Sequence, residues 1–254
     1  MHLKISGLFC LVLFIVSCKT QDKEEKSSEW HTKQIAEENE SHNTLYDIEK
    51  EQGWELLFDG KTLNGWHVYN APNAPSVWEV KDGALHRNPN IETEHNEDLV
   101  TEKSFENYEL VLEWKISNRG NSGVFINVQE KPEVATAYQT GPEYQILDPN
   151  HMDHDLAVKK SGCLYALSPQ QNEAITQAGQ WNQTRIKQVD GKVEFYLNGV
   201  LTATQDFTTP EWHEKVASTH FKNYPEFGKA TQGKIALQDW YFEVWFRDIK
   251  IRKL

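Results

Sequence analysis

Cysteine is almost missing from this sequence: Cys10, Cys18 and Cys163 are the only three in 254 residues. So few thiols exclude a disulfide-stapled scaffold and a cysteine-based zinc centre. Other chemical signatures are missing too. No glycine-rich phosphate loop, Gly-x-Ser-x-Gly elbow or His-Glu-x-x-His pair occurs, which argues against hydrolases built on those devices. Positive charge is scarce, with 26 Lys and Arg against 38 Asp and Glu, a formal net charge of −12. Such a surface repels phosphate backbones, and no basic stretch interleaved with aromatics occurs. Nucleic acid is therefore not an expected partner, whereas neutral or cationic ligands are favoured. The apolar run Leu8 to Val16 is too short to cross a bilayer as a stable helix.

That run follows Lys4 and has the length of a signal-peptide core. It ends in Ile15-Val16-Ser17-Cys18, which resembles the lipobox of bacterial lipoproteins, where the signal is cut before a cysteine that is then acylated. The expectation is a signal peptide over residues 1–17 and a lipidated Cys18. The protein would sit in the bacterial cell envelope, held to the outer membrane, on its periplasmic or surface face, through the N-terminal lipid alone. Loss of Lys4 with the signal moves the formal net charge from −12 to −13. Cys163 would remain as a lone, packed thiol. Residues 18–52 are rich in Glu, Lys, Gln, Ser and Asn and bury too little to offset their ordering entropy, so they read as a flexible tether, with a short surface helix around Lys33 to Glu51 as an option.

From residue 53 to 254 aromatic and β-branched residues alternate with turn pairs. Tyr108 to Ile116 puts apolar groups at every even position, a half-buried strand. Lys81-Asp82-Gly83, Asp190-Gly191 and Asn198-Gly199 are hairpin turns, and the last two bracket Lys192 to Leu197. Phe242 to Ile251 alternates again, and no long helical period intervenes. An all-β sandwich of two packed antiparallel sheets is the economical solution.

Polar chemistry concentrates in Gly141 to Asp148. With Tyr144 and Ile146 facing the core, Glu143 and Gln145 share the open face, where a partly desolvated carboxylate can act as a base. Arg119 and Asn121, in a turn-forming run, are candidates to reach the same face and orient a ligand. His151-Met152-Asp153-His154-Asp155 has metal-binding residue types, but adjacent residues converge on one ion only in a special loop. His151 competes with Glu143 as base. Flat aromatic faces suit pyranose rings, and Trp240 beside Asp239 is the first choice for a substrate-binding platform.

Ordered blocks across the whole domain resemble the bacterial 3-keto-disaccharide hydrolase family. These are Trp54 to Trp66, Gly120-Asn121-Ser122-Gly123, Gly141 to Asp148, Gln180-Trp181-Asn182, Tyr196 to Gly199 and Val244 to Ile251. The resemblance implies a concanavalin-A-like jelly roll. It also implies cleavage of a glycoside already oxidised at C3: the ketone acidifies the C2 proton, a base removes it, and the enolate expels the C1 substituent. A divalent metal ion is a possible cofactor. Two departures stand out. Leu237-Gln238-Asp239-Trp240-Tyr241 replaces an expected Leu-Gln-Asp-His-Gly, and Ala166 follows Leu164-Tyr165 where an acid is expected. A non-catalytic surface glycan-binding lipoprotein is therefore the alternative reading, and a two-carboxylate glycosidase using Glu143 and Asp239 a third.

Overall fold

The computed structural model describes residues 42–93 and 96–254. The signal segment, Cys18 and most of the tether lie outside them. Among the described residues no helix is long and apolar enough to cross a membrane.

Among the described residues thirteen strands form two antiparallel sheets. They are β1 (Trp54–Leu56), β2 (Trp66–Val68), β3 (Trp78–Lys81), β4 (Ala84–Arg87), β5 (Leu99–Thr101), β6 (Tyr108–Ile116) and β7 (Asn121–Val128), then β8 (Glu143–Leu147), β9 (Asn182–Val189), β10 (Lys192–Leu197), β11 (Val200–Asp206), β12 (Lys234–Leu237) and β13 (Val244–Lys253). The large sheet runs β11-β10-β9-β6-β13-β4-β3 with β1 also paired to β13; the small sheet runs β2-β5-β12-β7-β8. The chain is a jelly-roll β-sandwich. Its core lies between the sheets, where Leu110, Leu112 and Trp114 of β6 meet Val124, Ile126, Tyr144, Ile146 and Leu237 of the small sheet. Each such large side chain contributes about 1.5–3 kcal/mol by leaving water.

The turn chemistry acts as the sequence implies. Asp82-Gly83, Asp190-Gly191 and Asn198-Gly199 all have positive φ at both residues, the backbone of the tight turn that matches strand twist. In β13 the buried parity switches from Val244 and Phe246 to Ile249 and Ile251. A bulge between Arg247 and Lys250 causes the switch, and Asp248 takes φ +51° there.

One expectation needs correction. His42 to Gln52 is docked rather than free. The Asn43 N–H donates to Asp248 Oδ1, the Asp248 N–H donates to Asn43 Oδ1 at 2.9 Å, and His42 Nδ1 lies 2.7 Å from Asp248 Oδ2. Helix α1 (Asp47–Glu51) follows, its Glu49 paired with Lys250. An eight-residue helix α2 (Pro210–Ala217) also interrupts the strands. Thr209 caps it by accepting from the Trp212 N–H, Pro210 opens it, and buried Trp212 anchors it through its indole N–H to Gly228 O at 2.7 Å.

Candidate active site

Strand alternation builds the site on the outer face of the small sheet. In β7, Val124 and Ile126 face the core, so Asn121, Gly123 and Phe125 face outward. In β8, Tyr144 and Ile146 face inward, so Glu143 and Gln145 face outward. Register places Gly123 beside Gln145 and Phe125 beside Glu143. Asn121, Phe125, Glu143 and Gln145 floor a cavity of about 280 Å³, also lined by Asn96, Asp98, Tyr138, Tyr165, Gln238 and Trp240.

Glu143 is 4% exposed, and its carboxyl lies over the bare backbone of Gly123. A Cβ at position 123 would stand 2.2 Å from Glu143 Oε1, so the glycine makes room for the acid. Burial, and then the charge of Asp98, raises the Glu143 carboxyl well above the ordinary carboxylate range, against a hydrogen bond from Gln238. Asp98 is itself buried. Desolvation pushes it up to about 7, although it accepts backbone N–H groups from Asp239, at 3.0 Å, and Ala137. No Lys, Arg or His lines the cavity among the described residues. The cavity offers neither acid a counter-cation, and the Asp98 charge opposes ionisation of Glu143, so the two resist being charged together.

Amides complete the floor. The terminal atom of Gln145 that lies 2.9 Å from Glu143 Oε1 and 3.2 Å from Ser122 O meets two acceptors, so it is the nitrogen and donates to them. Buried Gln238 leaves its Oε1 without a partner, an acceptor open to a ligand hydroxyl. Burial, and next the Glu143 charge, raises the Tyr165 phenol, which keeps it a neutral hydrogen-bond donor.

The structure thus brings together Glu143, Gln145, Asn121 and Trp240. The other three expected site residues lie elsewhere. Arg119 is exposed at a turn apex with φ +60°, its N–H bonded to Asp148 Oδ1 at 2.8 Å. His151 lies outside the cavity, its Nδ1 accepting from the Asp153 N–H and its ring edge-on to Phe242. Asp239 is fully buried, and its carboxylate is consumed by Arg87 Nε at 2.8 Å and by the N–H groups of Glu97 and Tyr241. It is an anchor and not a sugar ligand. The His151–Asp155 loop gathers no ion site: Asp153 is paired with Lys159 at 2.8 Å. Among the described residues, three ligand-type side chains converge only at His42, Glu113 and Asp248, where Arg247 already supplies the positive charge.

Comparison with known proteins fits this geometry. The model of the 3-keto-alpha-glucoside-1,2-lyase-like domain matches residues 53–252. The chain belongs to that family. A 3-keto-disaccharide hydrolase of Bacteroides thetaiotaomicron is 31% identical over 228 residues, covering 80% of this chain and 79% of that protein. A crystal structure from Parabacteroides distasonis, provisionally named a glycosyl hydrolase, is 32% identical with a TM-score of 0.77 and covers 84% of this chain and all of that one. A second from the same organism, named likewise, is 27% identical with a TM-score of 0.59, covering 79% and 99%. Within the lyase-like family fold, Asp98, Tyr165 and Gln238 are among the site residues that sequence reasoning missed. Asp98 precedes a three-residue strand with no local motif. Gln238, next to Leu237, could have been found by carrying the alternation of β12 one residue further.

Proposed function

We propose that this chain is a carbohydrate-active enzyme that releases the C1 substituent of a 3-keto-glycoside, with Glu143 as the base. The observation that carries the proposal is the buried Glu143–Asp98 pair on the cavity floor, poised without a cation. The C3 ketone acidifies the C2 hydrogen. Glu143, in the form that has given up its proton, takes that hydrogen, and the electron pair becomes an enolate whose oxygen accepts from the Tyr165 phenol. The enolate re-forms the ketone as the C1–O bond breaks. Asp98, carrying the pair's proton, gives it to the departing oxygen. Water then adds across the C1–C2 double bond: its hydroxyl bonds to C1 as ionised Asp98 takes the released proton, and Glu143 returns its proton to C2, so both acids are restored and net hydrolysis results. Gln145 and Gln238 hold the Glu143 carboxyl, while Gln238 Oε1 and Asn121 meet sugar hydroxyls.

A divalent cation would find hard oxygen donors in Asp98, Glu143 and the Gln238 carbonyl, and when bound it would polarise the ketone. The test is aglycone release from a 3-keto-glucoside and from its parent glucoside side by side, with and without a chelator. Rapid cleavage of the keto substrate alone supports the reading. Glycan binding with cleavage of neither substrate replaces it with a binding protein. Attachment to the outer membrane through Cys18 is part of the proposal, so the enzyme would meet sugars in the cell envelope.

A further inference from the structure

Of the nine tryptophans in the sequence, eight are among the described residues. Trp66, Trp78, Trp114 and Trp212 are buried in the core. Trp54 lies under Lys250 and Arg252, Trp181 under Lys115 and Arg247, and Trp245 under Lys115. Trp240 is different. It is 46% exposed, no cation among the described residues covers its ring, and it lines the cavity, so it forms part of the rim. Beside it Tyr241 is 48% exposed, the ring centroids 6.4 Å apart and the planes tilted by 53°.

The backbone beneath them is firmly held. Asp239 accepts from Arg87, Glu97 N–H and Tyr241 N–H, its own N–H donates to Asp98, and its carbonyl accepts from Asn96 at 2.7 Å. Tyr241 takes φ +66°, a left-handed conformation that a bulky side chain adopts only where the surroundings impose it. Hydrophobic burial does not account for placing the Trp240 ring on that frame, since nearly half of it faces water, whereas Tyr241 has Arg87 5.9 Å over its ring.

We propose that Trp240 forms a leaving-group subsite: a ring platform on the cavity rim, with Tyr241 as its tilted side wall, that stacks a flat-faced C1 substituent, a second pyranose or an aryl group, as it emerges from the cavity. The inference rests on the 3-keto-glycoside reading, because the reacting ring occupies the cavity and the remainder must leave past the rim. Its chemistry is apolar stacking on exposed ring faces, with no charge required of the ligand.

The test compares full-chain wild type, Trp240→Ala and Tyr241→Gly on the 3-keto derivatives of methyl, phenyl and glucosyl glucosides. Intrinsic leaving-group reactivity is the same for every protein, so the ratio of flat-faced to methyl kcat/KM isolates the platform. Each variant should lower the phenyl ratio, the glucosyl ratio or both by about 2- to 10-fold; which ratio falls identifies the substituent. Tyr241→Gly should also melt no lower than wild type, because glycine relieves the left-handed backbone. Unchanged ratios in both variants, or equal losses on all three substrates with a lower melting temperature, overturn the subsite. Wild type that cleaves none of the three overturns the catalytic reading beneath it, and the subsite with it.

Discussion

Gly123→Ala changes one hydrogen to a methyl group and should silence the site without unfolding the protein. The added Cβ would stand 2.2 Å from Glu143 Oε1 and 2.8 Å from Cδ and Cγ, where ordinary contacts are about 3.5 Å. The carboxyl must therefore move by about 1 Å. A misplacement of that size costs roughly 100-fold in rate when geometry governs the reaction. The backbone has no objection: Gly123 lies within β7 and is not among the glycines with positive φ, and alanine loses less chain entropy than glycine on folding. Melting and circular dichroism should thus match wild type within a few degrees, while kcat on a 3-keto-glucoside falls about 100-fold. Wild-type turnover by a folded Gly123→Ala would refute the placement of Glu143 as the base.

On the proposed mechanism, which needs Glu143 ionised and Asp98, at about 7, protonated, the rate should be bell-shaped in pH with both limbs above the ordinary carboxylate range; a plateau down to pH 5 in a kcat/KM profile would contradict this. Because the folded state raises the Glu143 pKa, it binds more protons than the unfolded chain. Wild type should therefore lose stability relative to Glu143→Gln as pH rises from about 4.5 through that raised value, which melting curves across pH can follow. Asp239→Ala strands buried Arg87 without its partner and should cost about 3–5 kcal/mol in denaturant unfolding, whereas a loss below 1 kcal/mol would contradict the anchor role. Fatty-acid labelling of the full-length protein in a Gram-negative host should disappear in Cys18→Ala; soluble, unlabelled wild type would end the lipid-anchor proposal.

Local pattern made Glu143 and Gln145 legible, because a carboxylate and an amide flanking Tyr144 and Ile146 on a period of two must share the face opposite the core. The hairpins were legible for a comparable reason: Asp-Gly and Asn-Gly tolerate the positive φ that tight turns demand. Asp98 comes to line the same cavity as Glu143 only through the lateral order β5-β12-β7-β8, which no sequence window contains. Asp239 looked like a sugar ligand because it adjoins Trp240. Yet Leu237 faces the core and Gln238 the cavity, so the same alternation turns Asp239 inward to Arg87. Helix α2 is too short to announce itself by periodicity, although Thr209-Pro210-Glu211 carries the start signals of a helix. The docking of Asn43 on Asp248 depends on a bulge, and polar composition gives no sign of it.

Removal of the C2 proton by Glu143 is the central claim, and a substrate deuterated at C2 tests it most directly. Wild type should cleave a 3-keto-glucoside more slowly when C2 carries deuterium, and Glu143→Gln should lower kcat by about two to four orders of magnitude while ligand affinity stays within a few-fold. Equal rates for the protiated and deuterated substrates in single-turnover measurements, together with near-wild-type turnover by Glu143→Gln, would contradict the account.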